Sequence, residues 1–415
     1  MYMTNRTRAL IVGVGAAAAV VACDANRDAV GLTNLNNDIF RSYVAIGNSI
    51  TAGWQSGGIN DSTQQLAYPR LLATQMGTPY KFASLVNPGC PPPVANFQTQ
   101  ARVKIPNDTT PTTGGTCRLR APASVTDVLN NVGVPDARVL DPISPSTVAS
   151  NALTTFILGG KTQVQRALDA RPTFVSIWIG ANNVLQAAYT GVLVPTPDVS
   201  NGIVGTQAEF QASYDTMIKQ LLDSMPGLKG VLIGVPDASS IPLMSSGALI
   251  AATPQIQAAM ALVAGKPVAV DPNCTGSAAL ISTPLLLNMI RAGTMAPVIS
   301  CVAGSDPLDP RIGQIFVLDA TERAQLSGFI AGLNAYIKGK AAAIGFAYWD
   351  PNPTLTGIRN SPQSLPFPNF QPTGTFGTAF SLDGVHPSAE GQKLIANNLI
   401  TVINQTYGTA LKPIP

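Results

Sequence analysis

Short apolar segments of strand type alternate along this chain with segments of helical periodicity. The expected strands cover residues 42–46, 80–86, 173–179, 230–235 and 345–349. The expected helices cover residues 66–76, 163–170, 207–224, 319–343 and 388–404. Helices that join successive strands force those strands to run parallel, with right-handed connections. This order predicts a three-layer α/β/α domain, in which a sheet of about five parallel strands is covered by helices on both faces.

The first expected strand leads into a turn that presents a serine hydroxyl. Small residues on both sides of Ser49 let the backbone leave the strand sharply. A serine is a poor nucleophile at neutral pH unless a base removes its proton. The chain contains one histidine, His386, and Asp383 precedes it by three residues, close enough to hold the imidazole at Nδ1 and leave Nε2 for the serine. We therefore predict Ser49, His386 and Asp383 as catalytic residues.

Two further segments follow expected strands. Asn87-Pro88-Gly89 comes after the second strand, and Gly180-Ala181-Asn182-Asn183 comes after the third. Parallel sheets of this kind bind ligands outside the carboxyl ends of their strands. Gly89 and Asn182 are therefore expected near Ser49, with Asp383 and His386 in a loop that could reach them.

These four segments, in this order, resemble the sequence blocks of the SGNH hydrolases, which are also called GDSL esterases and lipases. The resemblance implies a flavodoxin-like fold and a serine esterase that needs no metal or organic cofactor. It also implies that the N–H groups of Ser49 and Gly89 and the side-chain amide of Asn182 hold the oxyanion of the intermediate. Asn48 and Asn183 stand where the family has aspartate. We expect these departures to alter local hydrogen bonding without abolishing activity.

The first residues have the pattern of an export signal. Arg6 and Arg8 precede an apolar run over residues 9–21, which is about as long as a signal-peptide core and short for a spanning helix. The run ends in Val-Val-Ala-Cys, which resembles a bacterial lipobox with Cys23 as the lipidated residue. Ordinary signal cleavage beside a chance cysteine is the alternative.

This pattern predicts a lipoprotein signal peptide over residues 1–22, a tether over 23–41 and a single hydrolase domain over 42–408. The protein would be exported and anchored by lipid to the bacterial cell envelope. The sequence leaves open which membrane carries it, on which face, and whether the protein forms oligomers.

Two long insertions interrupt the alternation, at about residues 90–145 and 238–315, and together they hold the other four cysteines. An even number of cysteines in an exported chain favours disulfides. If each cysteine pairs with the nearest one in its own insertion, Cys90 joins Cys117 and Cys274 joins Cys301. Four cysteines also allow other pairings. Zinc ligation is a less favoured alternative. The second insertion is apolar enough to form either a lid or wall of an acyl pocket, or extra core at the side of the domain.

Composition narrows the function further. Charged residues make up only 11% of the chain and hydrophobic residues 46%, against a usual charged fraction of about 25%. The formal net charge of +3 is too small for electrostatic binding of nucleic acid. The apolar insertions favour an uncharged, hydrophobic ester substrate, small or lipid. A carbohydrate O-acetylesterase of the same fold and a catalytically silent surface binding lipoprotein are the alternatives.

Overall fold

The computed structural model describes residues 38–97, 99–104, 127–144, 152–195, 202–304, 315–361 and 376–415. The predicted signal peptide, Cys23, most of the tether and Cys117 lie outside these residues. Within them, every helix is too short or too polar to span a lipid bilayer.

The main sheet contains four strands from distant parts of the chain. In chain order the strands are β1 Tyr43–Gly47, β2 Val94–Asn96, β3 Ala101–Arg102, β4 Phe174–Trp178, β5 Lys229–Ile233, β6 Met244–Ser246, β7 Ala269–Val270, β8 Leu280–Ser282, β9 Val298–Ile299, β10 Val317–Leu318 and β11 Ala347–Trp349. The main sheet has the order β1-β4-β5-β11, and all its neighbouring strands are parallel. The predicted class, a parallel α/β fold, is confirmed.

The second predicted strand, over residues 80–86, is wrong. Phe82 makes only an isolated parallel bridge to Asn131, and Asn131 makes a second one to Ala45 of β1. The segment around Asn131 thus lies between β1 and the predicted strand. The backbone groups of residues 80–86 bond irregularly instead, for example when the Asp61 N–H donates to the carbonyl of Leu85. An alternating apolar pattern is satisfied by such a half-buried extended segment as well as by a strand.

The five predicted helices are present, each with bounds within three residues of the prediction, and further helices were not predicted. In chain order the helices are α1 Ser49–Ala52, α2 Asp61–Gln65, α3 Tyr68–Met76, α4 Ala152–Leu158, α5 Gln163–Asp169, α6 Ala181–Thr190, α7 Gln207–Ser224, α8 Gly247–Ala252, α9 Pro254–Ala264, α10 Thr283–Ala292, α11 Ala320–Ile344, α12 Asn352–Arg359 and α13 Ala389–Tyr407. Helix α7 has the predicted bounds, because Thr206 and Glu209 form a capping box at its start. Helix α13 continues past the predicted end and stops at Gly408, which has a left-handed backbone.

Helices cover both faces of the main sheet. Successive side chains of a strand point to opposite faces, so Tyr43 and Ala45 of β1 pack with α3 and α13. Val44 and Ile46 point the other way and pack in a larger core with α7 and α11. This burial on both sides explains why the strands read as unbroken apolar runs.

The second insertion adds a small antiparallel sheet that shares the larger hydrophobic core. Strands β6, β8 and β10 make an antiparallel sheet of three strands, and helices α8, α9 and α10 lie in the same stretch of chain. Cys274 and Cys301 are joined by a disulfide, which confirms this predicted pair. Cys90 is also disulfide-bonded, whereas its predicted partner Cys117 lies outside the described residues.

Candidate active site

The turn after β1 places a serine at the carboxyl edge of the sheet. The Asn48 side-chain oxygen accepts the Ile50 N–H at 3.1 Å and caps the short helix α1, so that Ser49 is its first residue. The backbone N–H at this position of a helix has no partner within the helix. The Ser49 side chain lies in a cleft and is 7% exposed.

The structure brings this serine to the histidine and aspartate from the end of the chain. The Ser49 hydroxyl oxygen lies 2.9 Å from Nε2 of His386, and Nδ1 of His386 lies 2.8 Å from Oδ2 of Asp383. An imidazole in this position can accept the serine proton through Nε2 while Nδ1–H donates to the carboxylate. The arrangement can therefore convert the hydroxyl into a nucleophile.

Asp383 is held as a carboxylate by its surroundings. Burial alone raises its pKa, but the His386 charge and hydrogen bonds from the side chain and backbone of His386 and the N–H of Val385 lower it to about 2. Both N–H groups donate to Oδ1, His386 at 2.8 Å and Val385 at 2.9 Å. A carboxylate fixed in this way remains ionised and keeps Oδ2 pointing at the imidazole.

The chain just after the serine also holds the aspartate loop. The Gly57 N–H donates to Oδ2 of Asp383 at 2.7 Å, and the Ser56 N–H donates to the hydroxyl of Ser381 at 2.8 Å. In return, the Leu382 N–H donates to the Ser56 hydroxyl at 3.2 Å. These positioning contacts could not be predicted from the sequence, because a serine or glycine in a turn does not indicate which residue it contacts more than 300 positions away.

Helix α13 is fastened to the serine turn by one buried amide. The Gln392 side chain accepts the Tyr68 N–H at 2.9 Å through Oε1 and donates to the Ile50 carbonyl at 3.2 Å through Nε2. Gln392 is fully buried. Because His386 comes shortly before α13, this bridge fixes the distance between the two ends of the site.

Asn182 faces the same cleft as Ser49 and His386. It follows β4 and Gly180, whose φ of 115° and close neighbours Phe210 and Val235 leave no room for a side chain. One N–H of the Asn182 amide donates to the Ala137 carbonyl at 3.0 Å. A side-chain amide has two N–H groups, so this bond fixes Asn182 and leaves a second donor.

Asn183 has a different task from its neighbour. Its side chain accepts the Val139 N–H at 3.0 Å and donates to the Val204 carbonyl at 2.9 Å. The family's aspartate could accept the first bond but could not donate the second. Asn183 therefore connects the chain segments around Val139 and Val204. The replacement of the family's aspartate thus changes the local hydrogen bonds.

Gly89 lies in the loop beside Ile59 and Asn60. Its backbone is in the left-handed region with φ of 118°, and an added Cβ would lie 2.3 Å from the Ile59 carbonyl oxygen. The neighbouring Cys90 N–H donates to that same carbonyl at 2.8 Å. The structure thus places Ser49, His386 and Asn182 along one cleft, with Asp383 hydrogen-bonded to His386.

The cleft is mostly apolar. It encloses about 820 Å³ of empty space, including its opening to solvent. The apolar side chains that line it include Leu185, Ile241, Leu355, Ile358, Phe380, Val385, Leu394 and Ile395. Of the described residues of the second insertion, Ala238 and Ile241 line the cleft. Helix α12, which was not among the expected helices, supplies Thr354, Leu355 and Ile358.

The sequence and the fold of this chain can be compared with those of known proteins. The family model described as GDSL-like Lipase/Acylhydrolase matches residues 43–399, a stretch that includes β1, the serine turn and the histidine loop. No curated protein matches the chain. Among solved structures, the extracellular lipase from Streptomyces rimosus is similar, at 16% sequence identity and a TM-score of 0.32, over 88% of this chain and 99% of the lipase.

The family match covers most of the chain, and it agrees with the order of blocks from which the sequence resemblance was drawn. It spans all four strands of the main sheet. The chain therefore belongs to the GDSL-like lipase/acylhydrolase family, and it is a carboxylic ester hydrolase.

Proposed function

We propose that this protein is a serine esterase or lipase that acts through an acyl-enzyme. The observation that carries the proposal is the 2.9 Å distance between the Ser49 hydroxyl and Nε2 of His386. His386 accepts the Ser49 proton as the oxygen attacks the ester carbonyl, and it then gives that proton to the leaving alcohol. Water, deprotonated by the same imidazole, hydrolyses the acyl-serine and releases the carboxylic acid. Asp383 stabilises the imidazolium that forms in both half-reactions.

The tetrahedral intermediates require donors aimed at the negative oxygen. The N–H of Ser49, at the first position of α1, and the free N–H of the Asn182 amide are the donors on the cleft side of the sheet. The family resemblance adds the N–H of Gly89.

Replacing Asn182 with alanine is expected to lower kcat by roughly 10²- to 10³-fold, as the loss of one oxyanion donor does elsewhere. The KM should change little, because the bond is strongest in the transition state. The measurement is steady-state hydrolysis of 4-nitrophenyl butyrate. Asn182→Asp, which keeps the shape but removes both donors, should lose at least as much. An unchanged kcat in both variants would remove Asn182 from the oxyanion site.

The apolar lining of the cleft favours a hydrophobic acyl group. Each buried methylene contributes about 0.8 kcal/mol, so kcat/KM for 4-nitrophenyl esters is expected to rise more than about tenfold from acetyl to octanoyl. Leu355→Gln should flatten this rise with little effect on the acetyl ester. A protein active on acetyl esters alone would instead be a deacetylase, which corresponds to the carbohydrate O-acetylesterase alternative. That alternative predicts polar and aromatic, sugar-stacking side chains around Ser49. The lining includes Trp178, Trp349 and Phe380, but its polar side chains are few and most of the others are aliphatic.

We also propose export and a lipid anchor on Cys23. The Cys274–Cys301 disulfide supports an oxidising compartment outside the cytoplasm. The lipobox-like Val-Val-Ala-Cys supports acylation, which would bring the cleft close to lipid esters. Cys23→Ser should move the protein from the membrane fraction to the soluble exported fraction without lowering its activity on soluble esters. If Cys23→Ser stayed in the membrane fraction, the anchor would lie elsewhere.

A further inference from the structure

A second cavity lies directly beside the catalytic cleft. Ile358 of α12 and Phe380 line both cavities. The second cavity encloses about 520 Å³ of empty space, including its opening. Through these shared residues it adjoins the cleft that holds Ser49 and His386.

The second cavity is lined by a residue whose hydroxyl has no hydrogen-bond partner in the described part of the protein. Ser245, on β6, lines it and is only 1% exposed, yet its hydroxyl has no hydrogen-bond partner. The hydroxyls of Ser239 and Ser282 are likewise buried without a partner, whereas the half-buried Ser246 hydroxyl accepts the Leu249 N–H and caps α8. A buried hydroxyl without a partner costs free energy unless a ligand or water meets it. Ser245 therefore carries an unpaired donor in the wall of the cavity.

An arginine lines the same cavity. Arg359, the last residue of α12, donates through Nη1 to the Ser239 carbonyl at 2.9 Å, and no carboxylate in the described part of the chain forms an ion pair with it. Burial lowers the pKa of Arg359, and the nearby Arg323 lowers it further, while Asp237 acts in the opposite direction. The Asp237 carboxylate is itself bonded to the Ser239 N–H and the Ser327 hydroxyl. A half-buried guanidinium without an ion partner is a ready site for an anion.

We propose that this cavity binds an anionic group, a carboxylate or a phosphate, that is part of the ester substrate cleaved at Ser49. The inference rests on the proposed function and narrows its substrate class to esters that carry a negative charge beyond the apolar part. Arg359 supplies the charge and the Ser245 hydroxyl a further donor. The apolar members of the cavity, Met244 and Leu249 among them, contact the chain that carries the anion.

Matched substrate pairs test this proposal on the full-length protein. In one arm, 4-nitrophenyl esters of six-, eight- and ten-carbon dicarboxylic acids are compared with the same esters whose far carboxyl is a methyl ester. In the other arm, a 1-acylglycerol is compared with the 1-acylglycerol 3-phosphate of the same acyl chain. The wild type is expected to prefer the anionic member, in at least one arm, by about tenfold to hundredfold in kcat/KM, the size of one charge-assisted hydrogen bond.

Arg359→Gln should remove this preference and leave hydrolysis of the neutral esters within about twofold of wild type, because one such bond is lost. Ser245→Ala should reduce the preference in part. Arg323→Gln is the matched control, since it removes a neighbouring arginine that does not line the cavity. It should keep most of the preference. The arm that shows the effect identifies whether the anion belongs to the acyl group or the alcohol.

Two results would overturn the inference: no anion preference in either arm while the wild type hydrolyses the neutral esters, or a preference that survives Arg359→Gln. If the wild type hydrolyses no ester at all, the proposed function fails instead. In that case calorimetric titration with inorganic phosphate decides about the cavity separately. Binding by the wild type that is lost in Arg359→Gln supports an anion site, and equal or absent binding in both refutes it.

Discussion

Replacing Ser49 with alanine is expected to lower kcat for ester hydrolysis by roughly 10⁶-fold, the loss seen when the nucleophile of a comparable serine enzyme is removed. The variant keeps the cleft and the donors, so substrate still binds, but no acyl-enzyme forms. Release of 4-nitrophenolate measures the rate, and labelling by a fluorophosphonate measures the reactivity of the serine directly. Labelling of the wild type at Ser49 and none of Ser49→Ala is the expected pair of results.

A matched control separates this loss from damage to the fold. Ser224→Ala changes an exposed serine at the end of α7 and should label and hydrolyse like the wild type. Ser49→Ala should also unfold near the wild-type midpoint, since the lost hydroxyl makes one hydrogen bond, to His386. A folded Ser49→Ala protein that still hydrolysed esters would rule out Ser49 as the nucleophile. A wild type that binds esters without turnover would favour the silent binding lipoprotein.

The second large effect is expected from Asp383→Asn, with a loss in kcat of roughly 10⁴-fold. An asparagine in this position no longer stabilises the imidazolium, and its amide can select the tautomer that leaves a proton on Nε2 of His386. That nitrogen could then not accept the proton of Ser49. The control is Asp223→Asn, which alters an exposed carboxylate paired with Lys219 and should leave kcat unchanged. Equal rates in wild type and Asp383→Asn would show that the aspartate does not act on the histidine.

The same carboxylate predicts a pH dependence of stability. The pKa of Asp383 is lowered to about 2 in the folded protein, against roughly 3.9 in an unfolded chain. A group with a depressed pKa stabilises the fold above its unfolded pKa, and this contribution is lost as the pH falls through its folded pKa. Between pH ~5 and pH ~2 the free energy of unfolding of the wild type should therefore fall by about 2 kcal/mol more than that of Asp383→Asn. Urea unfolding at a series of pH values measures both; parallel curves would contradict the shift.

Local patterns predicted most of the sheet and its helices. Strands β1, β4, β5 and β11 were identified because both of their faces are buried, which leaves an unbroken apolar run. Helix α7 was identified because its apolar side chains recur at helical spacing. The disulfide between Cys274 and Cys301 was also predicted from the sequence, because the two cysteines lie in the same insertion.

Features that depend on tertiary contacts were missed. The segment beside β1 is held by backbone hydrogen bonds, such as the one from the Ala45 N–H to the Asn130 carbonyl. Residues 128–134 have no periodic pattern that would predict these bonds. Helix α12 begins with Asn352 and Pro353 in a stretch rich in proline, so its helical turn depends on packing more than on local preference. The bond from the Gly57 N–H to Asp383 spans 326 positions.

The sequence indicates some of the candidate site residues more clearly than others. Ser49, Asp383 and His386 were identifiable because a sole histidine with an aspartate three residues earlier is an unusual pattern. The predicted role of Gly89 rests on the family resemblance alone, because backbone amides carry no side-chain signal and their direction is set by the loop around them. Its neighbours Ile59 and Asn60 come from a segment whose path the sequence does not specify.

The wide separation of the serine and the histidine, 337 positions along the chain, has a consequence for biosynthesis. A ribosome must translate the whole stretch between them before both groups of the proposed catalytic centre exist. A nascent or prematurely terminated polypeptide would hold the nucleophile without its base. If the protein is exported and its cleft takes lipid-like esters, as proposed, late completion of this kind would spare the membranes of the cell that makes it.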